Sequence, residues 1–386
     1  MNTSVDTIPL SLYIHFPWCV KKCPYCDFNS HTLKEGLPEQ EYIQALLNNL
    51  EQHLPLIWGR RIISIFMGGG TPSLFSSQAL ETLLQGIRAL TVLLPEAEIT
   101  LEANPGTAEM QRFKEYREIG INRLSLGIQS FNDKHLKKLG RIHGKDEALR
   151  AIDYTKNAGF TNFNLDLMFG LPEQTPEEGL ADLQTAINAD PTHLSWYELT
   201  LEPNTAFWLQ PPPLPKEEDI LTLQEKGQAL LKAQGFNQYE VSAYSRNRPC
   251  RHNLNYWEFG DYLAIGAGAH AKITNQSTKE ILRLAHFRHP KQYMDLSLNF
   301  VQSSTPVDKN QLAFEFMLNA LRLKEGVPTA SFKARTGLEL ETIISQLKHA
   351  QQQGWIAPFD KQISTTEKGY QFLNDVVELF LPSECA

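Results

Sequence analysis

Long apolar runs are missing from this chain of 386 residues. A membrane-crossing helix needs about 18 to 20 consecutive apolar residues, and the longest runs here are strand-length, such as Ile62–Met67. The opening stretch MNTSVDTIPLSLYIHF has no basic region followed by an apolar core, so no secretory signal is expected. Any membrane association would then be peripheral. An excess of basic charge is also missing. With 36 Lys+Arg against 44 Asp+Glu the formal net charge is −8, which argues against nucleic acid as a partner. An acidic ligand must be held by local basic groups instead of by the overall field. Cysteine is scarce too: five residues, at 19, 23, 26, 250 and 385. An odd, clustered set excludes a disulfide framework and, in a reducing compartment, points to metal. The composition, 42% hydrophobic and 21% charged, excludes wholesale disorder. A cytoplasmic metalloprotein is expected.

What is present is an alternation of short apolar strands with helical stretches. Strands are expected at Pro9–Phe16, Ile62–Met67, Glu98–Ala103, Arg123–Ile128, Asn162–Phe169 and His193–Leu199. Helical spacing fills Glu39–Leu54, Ser77–Leu93, Ala108–Ile119, Asp146–Ala158 and Pro176–Asn188. Successive β–α steps imply a parallel sheet with right-handed crossovers, here a partial (β/α)6, TIM-like barrel in an α/β fold. The strand starts drift without self-similarity, so a solenoid is excluded. After Pro211-Pro212-Pro213 a helix is expected over 217–234, a strand over Gln238–Ala243, and a long irregular stretch over Tyr244–Ala271. The tail, from about residue 306, reads as helices Lys309–Leu323, Thr329–Thr336 and Leu340–Gln353, strands Trp355–Pro358 and Gln362–Thr365, and a helix Glu367–Leu381. That order suits a small winged-helix-like α+β domain. Its recognition-helix position offers only Lys348 and His349, so a packing or docking module is expected in place of a DNA reader. The division is 1–210 for the barrel core, 211–305 for an extension and 306–386 for the C-terminal domain.

The strand ends carry the functional signal. The first strand runs into Pro17-Trp18-Cys19, the second into Gly68-Gly69-Gly70-Thr71-Pro72, and the third carries Glu102 before Asn104-Pro105. The fourth ends on Gln129-Ser130, the fifth carries Asp166 before Gly170-Leu171-Pro172, and the sixth carries Glu198 and Thr200. Functional groups in a β/α barrel collect at the C-terminal rim of the sheet, and six such ends together favour a rim site.

On the loop after the first strand, Cys19, Cys23 and Cys26 form a C-x3-C-x2-C sequence. Three thiolates need a fourth ligand to close a tetrahedral zinc site, and His15 or His31 is in reach by sequence. Three thiolates equally suit a [4Fe–4S] cluster with one open iron. Spacing alone leaves both open.

With the strand context added, this sequence resembles the radical S-adenosylmethionine (SAM) superfamily. The resemblance widens through Tyr13-Ile14-His15-Phe16-Pro17, Tyr25-Cys26-Asp27-Phe28, Gly68-Gly69-Gly70-Thr71-Pro72 and Gly127-Ile128-Gln129-Ser130-Phe131. It is similar to the oxygen-independent coproporphyrinogen III oxidase group, and especially to its HemW branch of heme chaperones. The tail resembles that group's C-terminal domain. The resemblance implies a radical SAM barrel with a [4Fe–4S] cluster on Cys19, Cys23 and Cys26, SAM on the open iron, and its reductive cleavage to a 5′-deoxyadenosyl radical. It assigns SAM contacts to Tyr13, Gly69, Gly70, Thr71, Glu102, Gln129, Arg141 and Asp166. The glycines at 68–70 are expected to let the backbone approach that ligand closely. Arg251-His252-Asn253-Leu254-Asn255-Tyr256-Trp257 contains H-N-x-x-Y-W, which resembles the HemW hallmark linked to heme, with His252 the candidate axial ligand and Cys250 an alternative.

Two departures separate the branches. The coproporphyrinogen-oxidising enzymes carry a further cysteine two positions after the third cluster cysteine, where this chain has Phe28. They also carry an N-terminal extension, and eight residues precede the first expected strand here. The leading reading is a heme chaperone in porphyrin metabolism that passes heme to an acceptor protein. The alternative is an enzyme that oxidatively decarboxylates coproporphyrinogen III by radical SAM chemistry. A zinc-binding winged-helix regulator is a third.

Overall fold

The computed structural model describes residues 8–382 apart from 35, 296 and 298. Cys385 and the first seven residues of the N-terminal stretch lie outside the described residues.

All six expected strands form: β1 (Leu10–Phe16), β2 (Arg61–Gly69), β3 (Val92–Ala103), β4 (Arg123–Gln129), β5 (Phe163–Phe169) and β6 (His193–Glu198). They lie parallel and in sequence order. The helices between them are α1 (Glu39–Ile57), α2 (Ser77–Leu90), α3 (Thr107–Glu118), α4 (Lys145–Asn157) and α5 (Pro176–Asn188). Local chemistry fixes their starts. Thr175 caps α5 by accepting from Glu178 N while Glu178 Oε2 accepts from Thr175 N, with Pro176 set in the first turn. In β1 the alternation is decisive. Leu10, Leu12, Ile14 and Phe16 enter the main apolar core with Tyr42 and Leu46 of α1. The intervening Ser11 faces Ser64 of β2 at 2.8 Å, and Tyr13 faces His15. The sheet's inner face is thus unusually polar, and it is the face from which the site is built.

The sheet is larger than the sequence suggested. It has twelve strands, and a seventh parallel strand, β9 (Asp261–Ile265), lies on the free side of β1. The expected irregular stretch Tyr244–Ala271 is therefore corrected: it holds β9, a helix Arg251–Trp257 (here α7, after α6 at Glu217–Ala233) and β10 (His270–Thr274). Its strands are five residues long and β9 is bounded by Gly260 and Gly266, so the glycines mask them as loop. β11 (Ile281–His286) and β12 (Val301–Pro306) continue this edge antiparallel. The expected strand Gln238–Ala243 is two strands, β7 (Asn237–Glu240) and β8 (Ala243–Ser245), which fold back on each other against β6. Residues 211–305 thus extend both edges of the sheet.

The tail begins at α8 (Lys309–Ala320) and has its own core, with Phe316, Phe332, Leu347 and Val376 buried together. Three expectations are corrected here. Trp355–Pro358 makes a single bridge, Ile356 to Thr365, instead of a strand. Gln362–Ile363 pairs with Val327–Pro328, a strand too short to show in the sequence. The last helix is broken at Phe372, whose backbone (φ −108°, ψ 40°) leaves the helical region. No helix among the described residues is long and apolar enough to cross a membrane.

Candidate active site at the barrel rim

A cavity of about 480 Å3 opens over the C-terminal ends of β2–β6. Cys19, Cys23 and Cys26 line it, as do Gly69, Gly70, Thr71, Glu102, Gln129, Arg141 and Asp166. Its volume falls in the ~300–1,000 Å3 range of small-molecule sites.

The cysteine loop is tied down at several points. Trp18–Cys19 pairs with His31–Thr32 as a two-residue ladder, with His31 N donating to Pro17 O and Leu33 N to Cys19 O. Cys26 N closes a turn onto Cys23 O, and Phe207 N donates to Pro24 O. Each thiol also has a distinct neighbour. Thr71 Oγ1 donates to Cys19 Sγ at 3.5 Å, Arg141 Nη1 to Cys23 Sγ at 3.7 Å, and Ser30 Oγ lies 3.9 Å from Cys26 Sγ. Arg141 further donates from Nη2 to Asn104 Oδ1 (2.6 Å) and Gly127 O (2.7 Å), while its Nε is buried without a partner. Burial pushes the thiols of Cys19 and Cys26 up from their ordinary value.

The glycines serve packing first. Gly69 has φ +110°, and a Cβ there would lie 2.4 Å from His15 Cε1. A Cβ on Gly70 would lie 2.5 Å from Trp18 O. The missing side chains thus let the end of β2 close onto β1 and the cysteine loop, and Gly70 N donates to Phe16 O at 2.7 Å. The expected close approach to a ligand is met by a close approach to protein at both positions.

Two half-buried carboxylates face the cavity. Glu102 accepts from Gly69 N at 3.1 Å, and burial together with the nearby Asp166 charge pushes it up to about 8. Asp166 is raised by burial against bonds from Ser195, Ser125 and Asn164, which hold its charged form. Gln129 ends β4 with φ +69°, where β4 slips register against β5, and its Oε1 accepts from Tyr197 Oη at 2.8 Å. Left-handed backbone at a non-glycine residue is strained and clusters at functional sites.

Seven of the eight residues assigned to SAM, and all three cysteines, meet in this cavity; Tyr13 does not line it. Its hydroxyl bonds His15 Nδ1 at 3.0 Å and its ring stacks 6.4 Å from Phe66, behind the cavity wall. His15, open as a zinc ligand by sequence, bonds Asn29 O through Nε2. His252 lies at the other end of the barrel. α7 seals the N-terminal end of the strands, beside Arg123 and His193, which open β4 and β6. His252 is 1% exposed, with Nδ1 3.1 Å from Ser64 Oγ and Nε2 3.2 Å from Tyr256 Oη. Burial first, and then Arg123, lower it to about 3, so it is neutral. Cys250 is fully buried beside Glu98, which accepts from its thiol. Neither offers a free ligand atom in this conformation.

Sequence reasoning missed Ser125, Ser195 and Tyr197, all in the cavity wall. The period-two rule supplies the signal: Ser125 precedes Gly127 and Gln129 on one face of β4, and Ser195 precedes Tyr197 on β6.

Comparison with known proteins defines the class first. The Radical SAM superfamily model matches residues 13–186, and the HemN C-terminal domain model matches residues 307–372. The fold agrees with the structure of coproporphyrinogen III oxidase (HemN) from Escherichia coli, at TM-score 0.82 and 22% identity over 98% of this chain and 91% of that one. At the level of sequence, the chain is 50% identical to heme chaperone HemW of Escherichia coli (strain K12), over 97% of this chain and 98% of that protein. It is 33% identical to heme chaperone HemW of Bacillus subtilis (strain 168), over 96% and 99%. The chain belongs to the HemW family of radical SAM proteins.

Proposed function

We propose that this chain is a heme chaperone: it takes up heme, carries a [4Fe–4S] cluster and exchangeable SAM, and passes heme to an acceptor protein. The observation that carries the reading is the rim cavity in which three thiols meet two half-buried carboxylates and the Arg141 guanidinium. The relatives of the same length, named heme chaperones, supply the cargo.

The residues fit the cofactors. Among the described residues no three His, Cys, Asp or Glu side chains converge as a site for one metal ion. Three thiols lining one cavity would suit a [4Fe–4S] cluster that keeps one iron open. When bound, the cluster offers SAM an open iron and an electron. Cys19, Cys23 and Cys26 would hold it as thiolates, with Thr71 and Arg141 donating to two of the sulfurs. The unpartnered Nε of Arg141 is placed to meet an anionic group, and Glu102 and Asp166 to accept from an ammonium or ribose hydroxyls. Gln129 and Tyr197 close the inner wall.

Phe28, 57% exposed, stands at the cavity mouth where the oxidases have a further cysteine. The oxidase reading retains the shared fold alone as support. The division at 1–210, 211–305 and 306–386 places the cluster and SAM residues in the first part and H-N-x-x-Y-W in the second. Heme ligation by His252 requires one ring nitrogen to be released, Nδ1 from Ser64 Oγ by a movement of α7 off the barrel end or Nε2 from Tyr256 Oη within α7. A reducing, cytoplasmic compartment suits the free thiols.

The test is anaerobic reconstitution with iron and sulfide, then SAM retention on gel filtration and titration with hemin. Iron–sulfur absorbance lost in each Cys→Ser variant, with saturable heme uptake by the parent, supports the reading. No saturable heme uptake overturns it.

A further inference from the structure

The inward face of the barrel joins its two ends rung by rung. Along β1 and β2, Ser11 pairs with Ser64, Tyr13 with Phe66 and His15 with Gly68; across β2 and β3, Ser64 pairs with Glu98 and Phe66 with Thr100. Side chains alternate between faces, so these residues share one face, and the outer rungs stand four residues, about 13 Å, apart. The lowest rung holds α7. Ser64 Oγ lies 3.1 Å from His252 Nδ1 and 2.8 Å from Ser11 Oγ. Glu98 Oε1 accepts from His252 N at 3.3 Å and from Cys250 Sγ at 3.2 Å. The top rung belongs to the rim. His15 Nε2 lies 2.8 Å from Asn29 O on the cysteine loop, and its ring fills the space that a Cβ on Gly69 would need.

Aromatic rings fill the interval. The His252 ring stacks on Phe66, 5.0 Å between centroids and inclined by 30°. Phe66 stacks on Tyr13 at 6.4 Å and 24°, and the Tyr13 hydroxyl lies 3.0 Å from His15 Nδ1. Phe66 also reaches the back of the rim wall. A Cβ on Gly68 would lie 2.9 Å from Phe66 Cε1 and 3.0 Å from Glu102 Oε2, so ring and carboxylate crowd the same spot. Glu102 itself lines the rim cavity and accepts from Gly69 N. A close-packed interior shifts between discrete arrangements instead of deforming smoothly, so a change at one end of this stack is felt at the other.

α7 is seven residues long and is held from two sides. Toward the barrel its grip is the ring stack with Ser64 and Glu98 inside, and Arg251 Nη1 on Glu96 O and Asn255 Nδ2 on Asp261 O at the edge. On the other side Leu254 and Trp257 pack with the tail core, where the Arg322 guanidinium lies 4.3 Å from the Trp257 ring centroid. Freeing His252 Nε2 from Tyr256 alone leaves the ring stacked on Phe66 in a residue that is 1% exposed, where no macrocycle reaches it.

We infer that α7 has a seated and a lifted state, and that SAM in the rim cavity favours the seated one through Glu102, Phe66 and Tyr13. This rests on the heme-carrying reading above and adds to it how the two ligands are linked. A ligand that meets Glu102 and the Gly69 strand end braces the top of the stack and holds the rings on which His252 sits. Heme on His252 requires the lifted state. The two ligands therefore oppose each other, and by linkage each weakens the other by the same factor. SAM arriving at the rim reseats α7 and drives heme toward its acceptor, a task that needs no cleavage of SAM.

The experiment is anaerobic hydrogen exchange of cluster-reconstituted full-length protein, read by mass spectrometry with and without SAM. Exchange over residues 251–257 is expected to slow about five- to tenfold with SAM, while α5, on the outside of the barrel, changes by less than about twofold. Equilibrium dialysis is expected to show hemin lowering SAM affinity, and SAM lowering hemin affinity, by one factor of about five to ten. Phe66→Leu shortens the stack and keeps the wall apolar. It is expected to bind SAM within about twofold of the parent and to lose the effect of SAM on α7. Unchanged exchange over 251–257 at saturating SAM, equal slowing in α5, SAM affinity indifferent to bound hemin, or coupling retained in Phe66→Leu overturns the inference. The parent comparisons need no variant and decide it if Phe66→Leu does not fold. A parent that takes up no heme overturns the carrier reading instead, and the exchange comparison still judges the link between SAM and α7.

Discussion

Glu102 is held in a place that suits a ligand better than it suits the empty protein, and this can be measured. Burial and Asp166 move its carboxyl from 4.5 to about 8. A carboxyl with a higher value folded than unfolded binds its proton more tightly in the folded state. Stability therefore falls as pH rises from about 4.5 to about 8, and the loss is complete above that. At about 1.4 kcal/mol per pH unit the cost is about 1 kcal/mol at pH 5.5, about 3 at pH 7 and about 5 at pH 8.5. Glu102→Gln keeps an acceptor for Gly69 N and removes the titration. Urea unfolding of the iron-free protein, followed by fluorescence of its six tryptophans, compares the two at those pH values. The variant should be the more stable, by a margin that widens with pH, and it should retain SAM poorly after reconstitution. A margin that stays constant from pH 5.5 to 8.5 would refute the burial argument, whatever happens to SAM.

Other consequences follow from single contacts. Cys250→Ser should leave iron and sulfide content unchanged, whereas Cys19→Ser, Cys23→Ser or Cys26→Ser should abolish the cluster's visible absorbance. Arg141→Met strips donors from Gly127 O and Asn104 Oδ1, and should lower stability by about 2 kcal/mol and weaken SAM retention, read by urea midpoint and equilibrium dialysis. His252→Ala empties a fully buried site and frees Ser64 and Tyr256, and should cost about 3 kcal/mol in the same unfolding assay. Gly69→Ala meets both a positive φ and the His15 ring, and should give protein that cannot be reconstituted with iron while β1 and β2 remain paired by hydrogen exchange.

The six leading strands were legible because each is a short apolar run closed by glycine, proline or a polar residue, and the site could be read from those closing residues. Pro176–Asn188 was legible to the residue because its cap, its proline and its acidic first turn are all local. β9 was not, since five residues between two glycines carry no periodicity, and its partner, β1, lies some 250 positions away. The H-N-x-x-Y-W segment was ambiguous for a related reason. A histidine beside aromatics reads alike in sequence as a ligand or as a packed side chain, and its burial with both nitrogens bonded shows only in the fold.

The placement of β9 also sets an order of events during synthesis. β1 emerges first, gains β2 some fifty residues later, and keeps an unpaired edge until Asp261–Ile265 has left the ribosome. The cysteine loop waits for the same moment, because Asn29 finds Ala267 and Arg288 only then, and the Tyr42 hydroxyl finds Ala267 N. A nascent chain halted before about residue 290 thus exposes three thiols on an unbraced loop beside an open sheet edge. Bracing of the loop that carries Cys19, Cys23 and Cys26 therefore belongs to the last third of translation or after it.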